Sequence, residues 1–136
     1  MVKSDGVLIT DGRSSVFIHP PQPYPDNVGY HHQVDLVGGP FRGSINASCY
    51  ENVIALRHFS SQVVTLYRNL KGEAVLSNAY DNFKLSLKGD GLGHVEVQVL
   101  AAAGGLLDCH LSFRFSIDQT QLPAIVAALE QSVSSS

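Results

Sequence analysis

The residues with the most chemistry to offer are the histidines and the carboxylates near them. His94, Glu96, Asp108 and His110 fall at alternating positions of two consecutive strand-like segments, so each pair shares one strand face. Imidazoles with a carboxylate form a zinc donor set. A register placing His94 opposite His110 would therefore support a metal-dependent or small-ligand enzyme. A solvated sheet face of mixed charge accounts for the same residues more simply. His31 and His32 are adjacent on a strand, point to opposite faces and cannot share one ion. His58 has Gln62 four residues on, where a helical pair of ligands would need a second donor.

Nucleophilic chemistry has less support. Cys49 and Cys109 sit 60 residues apart in apolar strand patterns, with no helix N-terminus or cation to lower their pKa. Both are expected to be reduced, inward-facing core residues. Gly89-Asp90-Gly91-Leu92-Gly93 has the glycines of a phosphate cradle but runs into a strand, with no Lys-Ser/Thr pair. It reads as a hairpin turn. No catalytic residue, metal or cofactor is assigned, and a non-enzymatic role is expected.

The elements that position these side chains follow from periodicity. Val7–Thr10 and Ser14–Ile18 flank Asp11-Gly12, a hairpin signal in which both turn residues would take positive φ. Residues 19–27 hold four of the six prolines and form a stiff extended loop carrying Tyr24. Strands are predicted over Tyr30–Val37 and Phe41–Tyr50, the second with Phe41, Gly43, Ile45, Ala47 and Cys49 on one face. Between about Val53 and Leu70 the period changes to Leu56, Phe59, Val63, Leu66 and Leu70, one face of a helix closed by a left-handed Gly72. Four strands follow, Glu73–Asn78, Asn82–Lys88, His94–Leu100 and Leu107–Ile117. The last three alternate strictly, as antiparallel strands with one dry face do. Asp118 caps a final helix with Gln121 three residues on and Pro123 in its first turn. Leu122, Ile125, Val126 and Leu129 form its buried stripe, and Ser132–Ser136 is expected to fray.

Composition bounds the function. The chain has 136 residues, 44% hydrophobic and 15% charged, enough for one folded domain. A net charge of −3 lacks the basic excess of a nucleic-acid binder, and no apolar run approaches the roughly 20 residues of a membrane span. Met1–Gly6 has no signal-peptide core, so a cytoplasmic location is expected. Phe41 to Lys71 carries four basic residues and one acidic, whereas much of the acidity elsewhere belongs to turns and caps such as Asp11, Asp90 and Asp118. An acidic mimic of nucleic acid is not expected.

Three segments carry a likeness to a known family. Leu66-Tyr67-Arg68-Asn69-Leu70-Lys71-Gly72-Glu73-Ala74 is a helix-to-strand junction. Gly89 to Val97 is a Gly-rich hairpin, and Leu111 to Pro123 is a strand running into a capped helix. Together, in this order, they resemble the WapI-type immunity proteins over about Phe41 to Glu130. The proline-rich segment upstream of Phe41 departs from the pattern. The resemblance implies a cytoplasmic protein that binds and neutralises the toxic C-terminal domain of a cognate bacterial effector, commonly a nuclease. The motif residues cap and turn, so no binding residue is carried over from them.

The expectation is thus an α+β domain over residues 1–136, with a largely antiparallel, twisted sheet of about seven or eight strands and both helices packed on one face. Residues 1–40 supply the hairpin, proline-rich loop and first strand; 41–131 form the family-like core; 132–136 form the tail. Tyr24, Lys84, His94, Glu96, Asp108, His110 and Arg114 are the expected partner-binding residues, on the stiff loop and the wet sheet face. The partner that the resemblance implies is a toxin domain, and neither nucleic acid nor membrane is expected to be bound directly. A homo-oligomer built through a sheet edge is the structural alternative.

Overall fold

A computed structural model describes residues 6–23, 25, 30–49, 52–77, 82–103 and 109–134. Tyr24, Tyr50, Asn78, Leu107 and Asp108 lie outside the described residues, as does the side chain of Cys49. The fold is α+β. The described residues form nine strands, β1 (Val7–Thr10), β2 (Ser15–Ile18), β3 (Gln22–Pro23), β4 (Tyr30–Gly38), β5 (Phe41–Cys49), β6 (Lys71–Ser77), β7 (Phe83–Asp90), β8 (His94–Ala103) and β9 (Cys109–Asp118). The helices are α1 (Asn52–Asn69) and α2 (Leu122–Ser134), the latter entered through a 3-10 turn, Gln119–Gln121.

The strands form two antiparallel sheets, where the sequence suggested one. In the first, β1, β2 and β4 are successive neighbours, β3 continues beside β4, and β5 pairs the opposite side of β4. The second runs β6-β7-β8-β9. Inward side chains of both sheets join one hydrophobic core with Leu56, Phe59, Val63 and Leu66 of α1 and Leu122, Ile125 and Leu129 of α2. Helix α1 packs on β6, β7 and α2, and α2 reaches β1. Where no helix intervenes, the sheets touch directly: a Cβ at Gly38 would lie 2.9 Å from the Phe113 ring.

Local chemistry explains most boundaries and corrects several. The β1–β2 loop has four residues, and of these only Gly12 takes positive φ, at 95°. Asp11 instead accepts the N–H groups of Arg13 at 2.8 Å and Ser14 at 2.7 Å, the side-chain acceptor pattern that makes Asp a turn former. Gln22-Pro23 of the proline-rich segment pairs with the start of β4 as a short edge, where proline is tolerated. The left-handed residue ending α1 is Leu70, with φ 61°, and not Gly72, which already pairs with Gly89 inside the second sheet. Asp118 caps as expected, accepting from Thr120 N–H at 3.0 Å while Gln121 Oε1 accepts the Asp118 N–H at 3.1 Å. Helix α2 continues to Ser134 with Ser132 buried, beyond the point where fraying was expected.

Burial fades toward two strand ends. Phe115 and Ile117 are buried, Leu111 and Phe113 half-buried, and Cys109 exposed. Cys109 therefore keeps the inward parity read from the sequence, but its end of β9 runs past the material that would cover it. Phe41 shows the same effect on β5, 65% exposed although it shares a face with buried Ala47.

Candidate protein-docking face

The outward face of the second sheet is built row by row from its register. Glu73, Lys88, Glu96 and Ser116 stand side by side across the four strands. Val75, Ser86, Gln98 and Arg114 form the next row, and Ser77, Lys84, Leu100 and Ser112 the third. Phe83, Leu85, Leu87, Val95, Val97 and Val99 point the other way and are buried, as their alternation predicts. Lys84, Lys88, Glu96, Gln98 and Arg114 are exposed on the wet side.

Of the residues expected to bind, the structure brings some together and separates others. Arg114 Nη1 lies 3.5 Å from Glu96 Oε1 on neighbouring strands, both well exposed, a pair of modest energy. Lys84 and His110 line an open groove of about 550 Å³ with Ser77, Leu100 and Ser112. His94 stands apart. It pairs with Asp118, whereas His110 pairs with Ala102 at the far end of β8. Eight residues of strand separate the two positions along β8, roughly 27 Å. The register that a shared zinc site required is thus not formed, and among the described residues no three His, Cys, Asp or Glu side chains are grouped to hold a metal. His94 Nδ1 is 3.2 Å from Asp90 Oδ2, at the end of β7 on the same hairpin. Asp90 also accepts Leu92 N–H at 2.7 Å and His94 N–H at 3.1 Å. These bonds, the one from Leu92 foremost, hold its carboxyl below the ordinary carboxylate value.

Sequence reading missed a second polar cluster, on the outward side of the first sheet. His19 Nε2 donates to Asp35 Oδ2 at 2.6 Å, and Ser44 Oγ and Gln33 Nε2 reach Oδ1 at 3.0 and 3.1 Å. The His19 bond is the main cause of an Asp35 pKa below the usual carboxylate range. The Phe17 ring meets His19 edge-on, 4.6 Å between centroids. Inside the same sheet His32 is only 5% exposed, and its Nδ1–H donates to the His19 carbonyl at 2.7 Å. That bond fixes the tautomer and leaves Nε2 a buried lone pair with no partner among the described residues. Burial pushes the His32 pKa below its ordinary value. The opposite facing of His31 and His32 was legible from strand parity. The His19–Asp35 contact was not, because it depends on how the proline-rich segment leaves β2.

The three motifs of the family resemblance converge at one corner of the fold. Gly91 N–H donates to the Leu70 carbonyl at 2.8 Å, joining the end of α1 to the β7–β8 turn. Gln119 N–H donates to the Gly93 carbonyl at 2.8 Å, joining the same turn to the entry of α2. A Cβ on Gly89 would lie 2.5 Å from the Leu70 oxygen, so glycine is required there by close approach. Comparison with known families agrees with this geometry: the model of the immunity protein WapI-like family matches residues 31–135. The chain belongs to that family. The WapI-like match takes in β4 from His31 as well as everything from β5 to α2, and leaves the β1–β2 hairpin and the proline-rich segment outside it. No curated protein sequence matches the chain. Among the described residues no helix is long and apolar enough to cross a membrane.

Proposed function

We propose that this WapI-like protein is an immunity protein that neutralises the toxic C-terminal domain of a cognate bacterial effector by forming a complex with it in the cytoplasm. The family match over residues 31–135 carries the reading. The protein acts by occlusion and not by catalysis, and the toxin it blocks is a nuclease. Its docking surface includes Lys84, Glu96, His110 and Arg114 on the wet face of the second sheet and His94 at that sheet's turn, together with Tyr24 and Asp108, which lie outside the described residues. Mimicry of nucleic acid is disfavoured, because Asp11, Asp90 and Asp118 are occupied by backbone N–H groups of their own turns and cap. A mixed-charge face with an exposed apolar centre at Leu100 suits a protein partner better. The test is growth: cells producing the C-terminal domain of the adjacent effector should survive when this chain is co-produced. Continued killing by that domain, with this chain soluble and abundant, would reject the reading.

A further inference from the structure

The geometry points to the outer edge of β9 from Ser112 to Ser116 as the element that takes the toxin, by accepting an extended strand of the partner onto the second sheet. This rests on the immunity reading and deepens it by naming where and how the partner is held.

Hydrogen-bond alternation shows which groups are available. The Gln119–Gly93 bond marks that pair as a bonded one, so 95–117, 97–115, 99–113 and 101–111 are bonded pairs between β8 and β9. The other side of β8 gives the same answer. Ala102 N–H donates to the Asn82 carbonyl at 2.9 Å, which commits Leu100, Gln98 and Glu96 to β7. The backbone N–H and C=O groups of Ser112, Arg114 and Ser116 therefore turn away from β8. Among the described residues nothing pairs with them.

Other edges offer less. Strand β1 has four residues and β3 two. The β6 edge is engaged by α1, whose Gln62 Oε1 accepts the Val75 N–H at 2.9 Å. On β5 the Asn46 carbonyl accepts Asn82 Nδ2 at 3.0 Å. Strand β9 runs ten residues with no proline or lysine, devices that ordinarily blunt an edge.

The side chains specify what such a strand must carry. Its residues beside Leu111 and Phe113 would extend the dry face, where both are half-buried. Phe113 already covers Gly38, whose cross-strand partner is the exposed Phe41. Apolar side chains fit there. Residues beside Ser112, Arg114 and Ser116 would lie on the wet face, where Arg114 is 69% exposed. A carboxylate opposite Arg114 adds a second cross-strand partner to the one that Glu96 gives it from β8. The partner segment is thus an extended strand of the toxin domain alternating apolar residues with polar or acidic ones.

The test uses the full chain and the catalytically inactivated C-terminal domain of the adjacent effector. Ser112→Pro and Ser116→Pro remove outward N–H groups without removing a bond to β8; Ser112→Ala and Ser116→Ala are the controls. The proline variants should bind the domain about tenfold or more weakly, and the alanine variants within about twofold of the parent. Backbone exchange on the parent complex should show the Ser112, Arg114 and Ser116 amides gaining protection, which decides the matter even if a proline variant misfolds. Binding with those three amides unchanged overturns the edge assignment and leaves the immunity reading standing. Protection of the same amides before the toxin domain is added, in a sedimenting dimer, gives the edge to a second copy and also overturns it. No binding by the parent chain removes the immunity reading itself.

Discussion

The carbonyl of Leu70 accepts the N–H of Gly91 at 2.8 Å, which makes the end of α1 and the β7–β8 turn one piece of structure. Leu70 takes a left-handed conformation to do so, the only described residue other than glycine with positive φ. Gly89 packs beneath the same carbonyl and beside Leu66 Cδ1. Gly89→Ala should therefore destabilise the protein by about 1–3 kcal/mol, since the colliding atom is backbone. Thermal melts should show a fall of several degrees; an unchanged melting temperature would mean that the corner yields.

The Asp118 cap joins a strand to a helix, and its Gln121 partner also donates Nε2 to the Thr10 carbonyl at 3.0 Å. Asp118→Ala should cost about 1 kcal/mol by leaving the Thr120 N–H without its acceptor. Asp118→Asn should retain most of the stability. Denaturant titration of the two variants separates loss of the cap from loss of charge.

His32 sets a pH dependence. Its folded-state pKa lies below the ordinary 6.5, because burial disfavours the imidazolium. The unfolded chain thus binds the proton more readily, and stability falls as pH drops below about 6.5 and through the folded value. The contribution is fully present above that window. Denaturation midpoints measured from pH 7.5 down to 5 should decline, and His32→Gln should flatten the slope.

Asp35 titrates in the opposite corner of the pH scale. Its pKa is held below 3.8, first by the His19 hydrogen bond and then by Gln33 and Ser44. The stabilisation it gives is present above that value and lost as pH falls through the folded pKa. NMR titration should place the Asp35 carboxyl below its ordinary value in the parent and return it upward in His19→Ala. A carboxyl that titrates identically in both would contradict the contact.

The separation of His94 and His110 carries its own expectation. Zinc added to the protein should produce no chemical-shift perturbation shared by the two imidazoles. A common perturbation, lost in either alanine variant, would require a register different from the one described.

Much of the fold was legible from periodicity. The stripe Leu56, Phe59, Val63 and Leu66 marked α1, and the alternation of Phe83 to Ile117 marked the second sheet, because burial imposes those periods directly. The division into two sheets was not legible, since alternation reports that a strand has a dry face and not which strand lies beside it. Cys109 shows the same limit: its parity was right, but exposure at a strand end depends on how far the core extends. The candidate face was legible as outward residues. Which of them meet depended on register, which joined Arg114 to Glu96 and parted His94 from His110.

The corner where Leu70, Gly91, Gly93 and Gln119 meet has a consequence for diversification within such a scaffold. Its backbone contacts are satisfied within the chain and none involves the outward groups of Ser112, Arg114 or Ser116. Side chains along that outer margin can be exchanged while the chassis stays whole. If that margin holds the toxin as proposed, chimeras that keep the corner and transplant the margin should fold alike while binding different toxin domains.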